Sequence, residues 1–383
     1  MPLFKDKIWG GNKIKELGFD YSPLPNCGEL WALSAVEGSE SVIANGFLEE
    51  STLNEALEIY MGELIGEANY DRFGNQFPLL IKIIDANDRL SIQVHPDDQL
   101  AQERDMDYGK TEMWYIMQAD PQAEIIDGFS TPLTPDQYQA LLTLGKLESA
   151  LHVEHPQAGD LFFIPAGRVH AIGKGILLAE VQQSSDCTYR IYDYNRRDTQ
   201  GRLRELHTQE ALDAIDFTPT RDGRTHYHYQ PDHTVPLAEC PYFTTNLIAL
   251  TEPMRKDFSS LDSFVIYLCT EGIAAVRALD HIVPLHAGEC VLVPAVAGEV
   301  ELHCHEGHAK LLEVYIDPEQ YDGPEMHRGE ISWISQFMSQ LEEEEDHDCH
   351  HDHCDCGHDH HDHDCDCGHD HHDHCDCHHD HGA

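Results

Sequence analysis

The sequence predicts a mainly β fold: two related sandwich or barrel domains in tandem, a few helices, and a C-terminal tail that builds no core. Three observations carry this. First, short apolar runs bounded by Gly, Pro and Asp recur along the chain, at 77–84, 113–117, Leu161–Ile164, Phe243–Leu250, 264–268, Cys290–Val293 and 310–316. Runs of that length between turn residues suit strands. Second, Ala158-Gly159-Asp160-Leu161-Phe162-Phe163-Ile164-Pro165-Ala166 aligns with Ala287-Gly288-Glu289-Cys290-Val291-Leu292-Val293-Pro294-Ala295 at an offset of 129 residues. A single internal match of this kind marks a duplicated β domain rather than a solenoid. Third, after Leu341 the apolar residues disappear and the chain becomes low complexity.

Two segments carry helical patterning. Leu53–Ile65 follows Ser51-Thr52, which can cap a helix start, and 136–151 follows Thr134-Pro135 with Tyr138, Leu141, Leu142 and Leu144 apolar. The polar stretch 218–234 reads as a linker or long loop. The expected domains are therefore 1–235, a second β domain at 236–320, a connecting segment at 321–341, and an acidic tail at 342–383. In the tail, Cys354-Asp355-Cys356-Gly357-His358-Asp359-His360-His361-Asp362-His363 recurs at 365–374 and, truncated, at 375–381. With no core-forming residue, such a tail is expected to be disordered unless a ligand orders it.

The chain has 383 residues, with Lys and Arg numbering 24 against 70 Asp and Glu, for a net charge of −46. That balance argues against a nucleic-acid or anionic-membrane partner, which would require a basic face. The tail holds 16 of the acids, no Lys or Arg, 7 of the 13 Cys and 15 of the 29 His, leaving 54 acids against 24 bases and −30 for the rest. The six remaining Cys, at 27, 187, 240, 269, 290 and 304, lack disulfide-framework spacing and are expected to be reduced. No apolar stretch approaches the roughly 18 residues of a membrane span. The N-terminus also lacks a signal-peptide apolar region, so the expected location is cytoplasmic.

The most informative pattern is Gly159-x5-Pro165-x-Gly167-x2-His170. A tight turn at Gly159 leads into a buried strand, and Pro165 and Gly167 break that strand into a turn presenting His170. The spacing resembles the second motif of the cupins, double-sheet jelly rolls whose His is a metal ligand inside the barrel. Upstream, Gln93 and His95 are two apart and project on one strand face. Glu112, seventeen residues after His95, opens the next strand. Gln93, His95, Glu112 and His170 amount to two imidazoles, a carboxylate and an amide oxygen. This set suits Zn²⁺ with a position left for water or substrate, and Mn²⁺ or Fe²⁺ could also occupy it.

Together, Gln93-Val94-His95-Pro96-Asp97-Asp98, Gly109-Lys110-Thr111-Glu112-Met113-Trp114-Tyr115 and Pro165-Ala166-Gly167-Arg168-Val169-His170-Ala171-Ile172 resemble the class I mannose-6-phosphate isomerases, in their short bacterial form. Trp9-Gly10-Gly11, Gly28-Glu29-Leu30-Trp31 and the segment 188–196 add to the likeness, which covers about residues 1–320 and none of the tail. The resemblance implies tandem cupin-type jelly rolls and zinc held by Gln93, His95, Glu112 and His170. It implies a catalytic and substrate-binding Arg190, proton-handling roles for Lys110 and Asp186, and a substrate-facing Lys82 directed toward phosphate. It further implies interconversion of mannose 6-phosphate and fructose 6-phosphate through a cis-enediolate, linking glycolysis to mannose and GDP-mannose metabolism, by a monomer with a small-molecule substrate.

That chemistry suits these residue types. A cation bound to substrate oxygens stabilises enediolate charge, and a permanently charged arginine can add to that. A lysine moves a proton only where its surroundings favour the neutral amine. Which group takes the C2 proton is open, as is whether Asp186 orients Arg190 or assists ring opening. In the second repeat, Val296 stands opposite Gly167 and Glu299 opposite His170, so that domain is expected to be metal-free. The thiolates, imidazoles and carboxylates of the tail suit additional Zn²⁺, Ni²⁺, Co²⁺ or Cu. Two alternatives stay open: a non-catalytic cupin metal buffer or sensor, and a cupin isomerase acting on glucose 6-phosphate.

Overall fold

A computed structural model of the chain describes residues 1–197 and 200–320. The connecting segment 321–341 and the tail 342–383, with the readings made of them, lie outside the described residues. Those residues form a mainly β, cupin-like structure of three antiparallel sheets with few helices. Among them, no helix is long and apolar enough to cross a membrane.

The first sheet has six strands in the order Leu3–Lys5, Glu29–Leu33, Leu79–Ala86, Ile176–Gln183, Glu112–Ala119 and Leu161–Ile164. The second has five: Tyr189–Tyr192, Ile92–Val94, His170–Ile172, Ile125–Phe129 and Leu151–Glu154. Their inner faces enclose one apolar cluster, with Trp114, Phe162 and Leu178 from one sheet against Ile125 and Ile172 from the other. The outer face of the first sheet packs on the third sheet, where Ile81, Ile83, Met113 and Val181 meet Leu237, Phe243, Phe264 and Leu312.

This two-sided burial explains why Leu79–Ala86 and Ile176–Gln183 read as near-continuous apolar runs: every residue in both strands is buried. A strand buried on both faces loses the alternation of a half-exposed one. Polar residues inside such strands are then conspicuous, and Lys82, Glu180 and Gln182 all project into the space between the first two sheets.

The helix at Leu53–Ile65 begins with a reciprocal capping box. The Thr52 hydroxyl accepts from the Glu55 N–H and the Glu55 carboxylate accepts from the Thr52 N–H, satisfying two otherwise orphaned donors. The helix expected over 136–151 is shorter. It spans Pro135–Thr143, followed by a 3₁₀ turn at Leu147–Ala150 and a strand from Leu151. Gly145, at φ +65°, ends it. The Gly145 N–H bonds to the Leu142 carbonyl and the Lys146 N–H to that of Leu141, the paired closure of a Schellman motif.

In the third sheet the runs at 264–268 and 310–316 extend much further, into Val265–Ala278 and Glu299–Tyr315. Gly272 and Gly307, which look like strand ends, are accommodated within the strands at φ +75° and +72°, and the ladder shifts register on both sides of Gly272. The stretch 218–233 contains no helix or strand beyond isolated bridges at Pro219 and Arg224. It is tied down nonetheless, with the Thr225 N–H on the Leu161 carbonyl and the Tyr227 hydroxyl on the Gly159 carbonyl. The two repeat copies follow the same course, since Gly159 and Gly288 both have φ +92° and each leads into a four-residue strand.

Candidate metal centre and active site

Cross-strand register assembles the site. On the first sheet Glu180 lies directly opposite Lys82 on one side and Trp114 on the other, while Gln182 lies opposite Glu112. On the second sheet Arg190 lies opposite Gln93, and Gln93 opposite His170. Residues paired this way share a face, so two rows of polar side chains confront each other across the sandwich. His95 follows immediately after the strand Ile92–Val94, and its carbonyl accepts the Gly167 N–H. That bond joins the two segments that carry the imidazoles. Gly167 itself needs to be glycine, because its φ is +84° and a Cβ would sit 3.0 Å from the Ala214 carbonyl oxygen.

His95, Glu112 and His170 are each about 1% exposed. The His95 Nε2 lies 3.6 Å from Glu112 Oε2 and the His170 Nε2 3.4 Å from Glu112 Oε1. Each imidazole is oriented from behind: His95 Nδ1 donates to the Cys187 carbonyl at 2.7 Å and His170 Nδ1 to the Arg168 carbonyl at 2.8 Å. With Nδ1 donating, each neutral ring turns an Nε2 lone pair inward, the usual arrangement of a metal-ligating histidine. Burial, followed by the charge of Lys110, holds the His95 pKa well below the ordinary range; burial also lowers His170 to about 4. Burial, followed by the charge of Glu180, pushes Glu112 up to about 7.

These residues fit a metal ion. Both Glu112 oxygens are buried without a hydrogen-bond partner, and orphaned carboxylate oxygens in a dry interior are costly. The ligand atoms of His95, Glu112 and His170 lie within 4.8 Å of one another. The Gln93 amide lies 3.2 Å from His170 Nε2 and 3.5 Å from His95 Nε2. A half-turn of that amide, which exchanges its oxygen and nitrogen, points an oxygen at the same spot.

From the cluster, His170, together with Gln93, lines a cavity of about 310 Å³, whose lining also includes Lys82, Lys110, Glu180, Asp186, Arg190 and Arg204. Lys110 is buried, with its Nζ 3.5 Å from Glu112 Oε2. Lys82 is also buried, bonding to Glu180 at 3.0 Å and Gln182 at 2.6 Å. Burial opposes its charge, yet Glu180 and Glu29 outweigh that and raise its pKa. Asp186 is exposed and lines the cavity without an ion pair to Arg190 among the described residues. Arg196 does pair with Asp193.

Sequence reasoning missed Glu180 and Arg204. Glu180, hydrogen-bonded by the Trp114 indole at 3.0 Å and by Lys82, had one visible signal: a carboxylate inside an apolar strand. Arg204 had none, since only the folded loop carries it to the cavity. Elsewhere, His303 lies beside Glu301 and His308 beside Glu271, both on exposed side chains. Among the described residues, His95, Glu112 and His170 form the only metal-capable cluster of His, Cys and acids.

A jelly-roll sandwich with a buried two-histidine, one-carboxylate metal centre opening into a cationic cavity defines a metal-site cupin-like protein. Residues 1–127 match the family described as phosphomannose isomerase type I, catalytic domain. The chain is 36% identical over 314 residues to the mannose-6-phosphate isomerase ManA of Bacillus subtilis, covering 81% of this chain and 96% of that one. It is 42% identical over 300 residues to the mannose-6-phosphate isomerase of Streptococcus mutans, covering 76% and 92%. The crystal structure of the Bacillus subtilis mannose 6-phosphate isomerase superposes with a TM-score of 0.72 at 32% identity, covering 82% of this chain and 98% of that one. The chain thus belongs to the type I mannose-6-phosphate isomerase family.

Proposed function

We propose that the chain is a Zn²⁺-dependent aldose–ketose isomerase interconverting mannose 6-phosphate and fructose 6-phosphate. The observation that carries this reading is the buried His95, Glu112 and His170 cluster, whose His170 lines the same cavity as Gln93, Lys110 and Arg190. Gln93, His95, Glu112 and His170 would hold the ion, which supplies Lewis-acid stabilisation of charge on substrate oxygens when bound. Isomerisation takes the proton from C2 of the sugar and returns it to C1 through a cis-enediolate. Lys110, against Glu112, and Asp186, at the cavity wall, are the proton-handling groups. Arg190 contributes a fixed positive charge beside the developing oxyanion. Buried Lys82 and Glu180 hold each other in place on the cavity floor.

The deciding measurement is turnover of mannose 6-phosphate and, separately, glucose 6-phosphate, before chelation, after it, and after Zn²⁺ is restored. Mannose 6-phosphate is expected to turn over, with activity lost on chelation and regained with Zn²⁺. Full turnover by metal-free protein would reject the metal's role, and a preference for glucose 6-phosphate would reject the substrate.

The tail has a second, separate reading as a metal-binding appendage. Its 7 Cys and 15 His among 16 acids supply soft and borderline ligands together, whereas a purely solubilising tail would need only the acids. Ending the chain after Leu341 is expected to leave kcat near the full-length value and to abolish binding of more than one Zn²⁺ or Ni²⁺ per chain, measured by equilibrium dialysis. Unchanged multi-ion binding in the shortened protein would overturn that reading.

A further inference from the structure

Five cationic side chains line the cavity: Lys7, Lys82, Lys110, Arg190 and Arg204. The three lysines face carboxylates, Lys7 on Glu29 at 3.1 Å, Lys82 on Glu180 at 3.0 Å and Lys110 near Glu112 at 3.5 Å. The two arginines differ. Arg190 has no carboxylate at ion-pair distance among the described residues; its terminal nitrogen donates to the Glu205 carbonyl at 2.8 Å, and its Nε is buried without a partner. Arg204 reaches Asp193 only at 3.4 Å, and Arg196 already occupies that carboxylate. Two guanidiniums, Arg196 and Arg204, therefore share one carboxylate while Arg190 has none among the described residues, a local positive excess in a body that carries −30.

The chain is built to bring them together. Tyr194 and Asn195 take left-handed φ values of +54° and +56°, turning the strand that carries Arg190 back on itself. Arg197 bridges to Leu203, the Arg190 N–H donates to His207 Nδ1, and the His207 N–H donates to the Arg190 carbonyl at 2.7 Å. Residues fourteen apart in sequence thus reach the wall of one cavity. Like charges held together in a partly desolvated site are unfavourable until an anion joins them. Burial, followed by the Arg204 charge, holds the Arg190 pKa down.

We propose that Arg204 and Arg190 form a clamp for a phosphomonoester dianion, which fixes the phosphate end of the substrate and so decides which end of the sugar meets the metal centre. The forked N–H geometry of guanidinium matches phosphate oxygens two at a time. The inference rests on the reading of the cavity as a hexose-phosphate site and moves phosphate recognition from Lys82, which Glu180 and Gln182 engage, to Arg204.

Calorimetric titration of inorganic phosphate into metal-free protein tests it, since phosphate then cannot ligate a metal. The wild-type protein is expected to bind phosphate, Arg204→Ala to weaken binding by about tenfold to a hundredfold, and Arg204→Lys to recover part of the loss. In the metal-loaded enzyme, Arg204→Ala is expected to raise KM for mannose 6-phosphate by a similar factor, with a much smaller change in kcat. Melting curves without phosphate check the fold, and Arg204→Gln replaces the alanine variant if its midpoint falls. Equal phosphate affinity in the wild-type and substituted proteins, or none in the wild type, would overturn the clamp. Arg204-dependent phosphate binding by a protein that fails to turn over mannose 6-phosphate would support the clamp and reject the isomerase reading instead.

Discussion

Replacing His170 with alanine is expected to weaken Zn²⁺ binding by at least about a hundredfold and to lower kcat by on the order of a thousandfold. The imidazole lies at the centre of the site. Its Nε2 is 3.4 Å from Glu112, its ring packs edge-on to Trp114 at 5.4 Å, and its strand neighbour is Gln93. Removing groups that merely orient a metal ligand already costs about tenfold to a hundredfold in affinity or activity, so losing a ligand should cost at least as much. The loss of several kcal/mol of Lewis-acid stabilisation corresponds to the thousandfold in rate. Metal content after dialysis and steady-state kinetics check both numbers. A His170→Ala protein with wild-type Zn²⁺ affinity would remove His170 from the ligand set.

The Lys82→Met variant is expected to lose about 3–5 kcal/mol of folding stability at neutral pH, because it leaves Glu180 buried without its partner. Both side chains of this pair are under a tenth exposed, so solvent screens them little. The effect has a defined pH dependence. Burial opposes the Glu180 charge, but Lys82 and Lys110 outweigh it and depress the folded pKa below the usual 4.5. Its stabilising contribution is therefore present above about pH 4.5 and is lost as pH falls through the lower folded value. Urea unfolding of both proteins should show the stability gap closing in acid. A gap unchanged down to that lower value would mean that the variant acts through packing rather than charge.

The features legible in the sequence were those set by neighbours along the chain. Leu53–Ile65 is one, because Thr52 and Glu55 close their own capping box. The turn presenting His170 is another, because Gly159, Pro165 and Gly167 dictate its course locally. Even the shortened helix at Pro135–Thr143 had its stop signal in view at Gly145. The long strands of the third sheet did not, because whether Gly272 ends a strand or sits in an irregularity depends on the partner strand running alongside it.

The family motifs, the metal-capable residue types and the β class were thus written in the sequence itself, since spacing along one strand determines which side chains share a face. Tertiary structure alone decided that Glu180 would face Lys82 and Trp114, and that a loop would return Arg204 to the wall occupied by Arg190. Opposition across a sheet depends on register between strands nearly a hundred residues apart, such as Leu79–Ala86 and Ile176–Gln183. That register is selected by burying both faces of the sheet at once, a constraint that exists only when the other two sheets are in place.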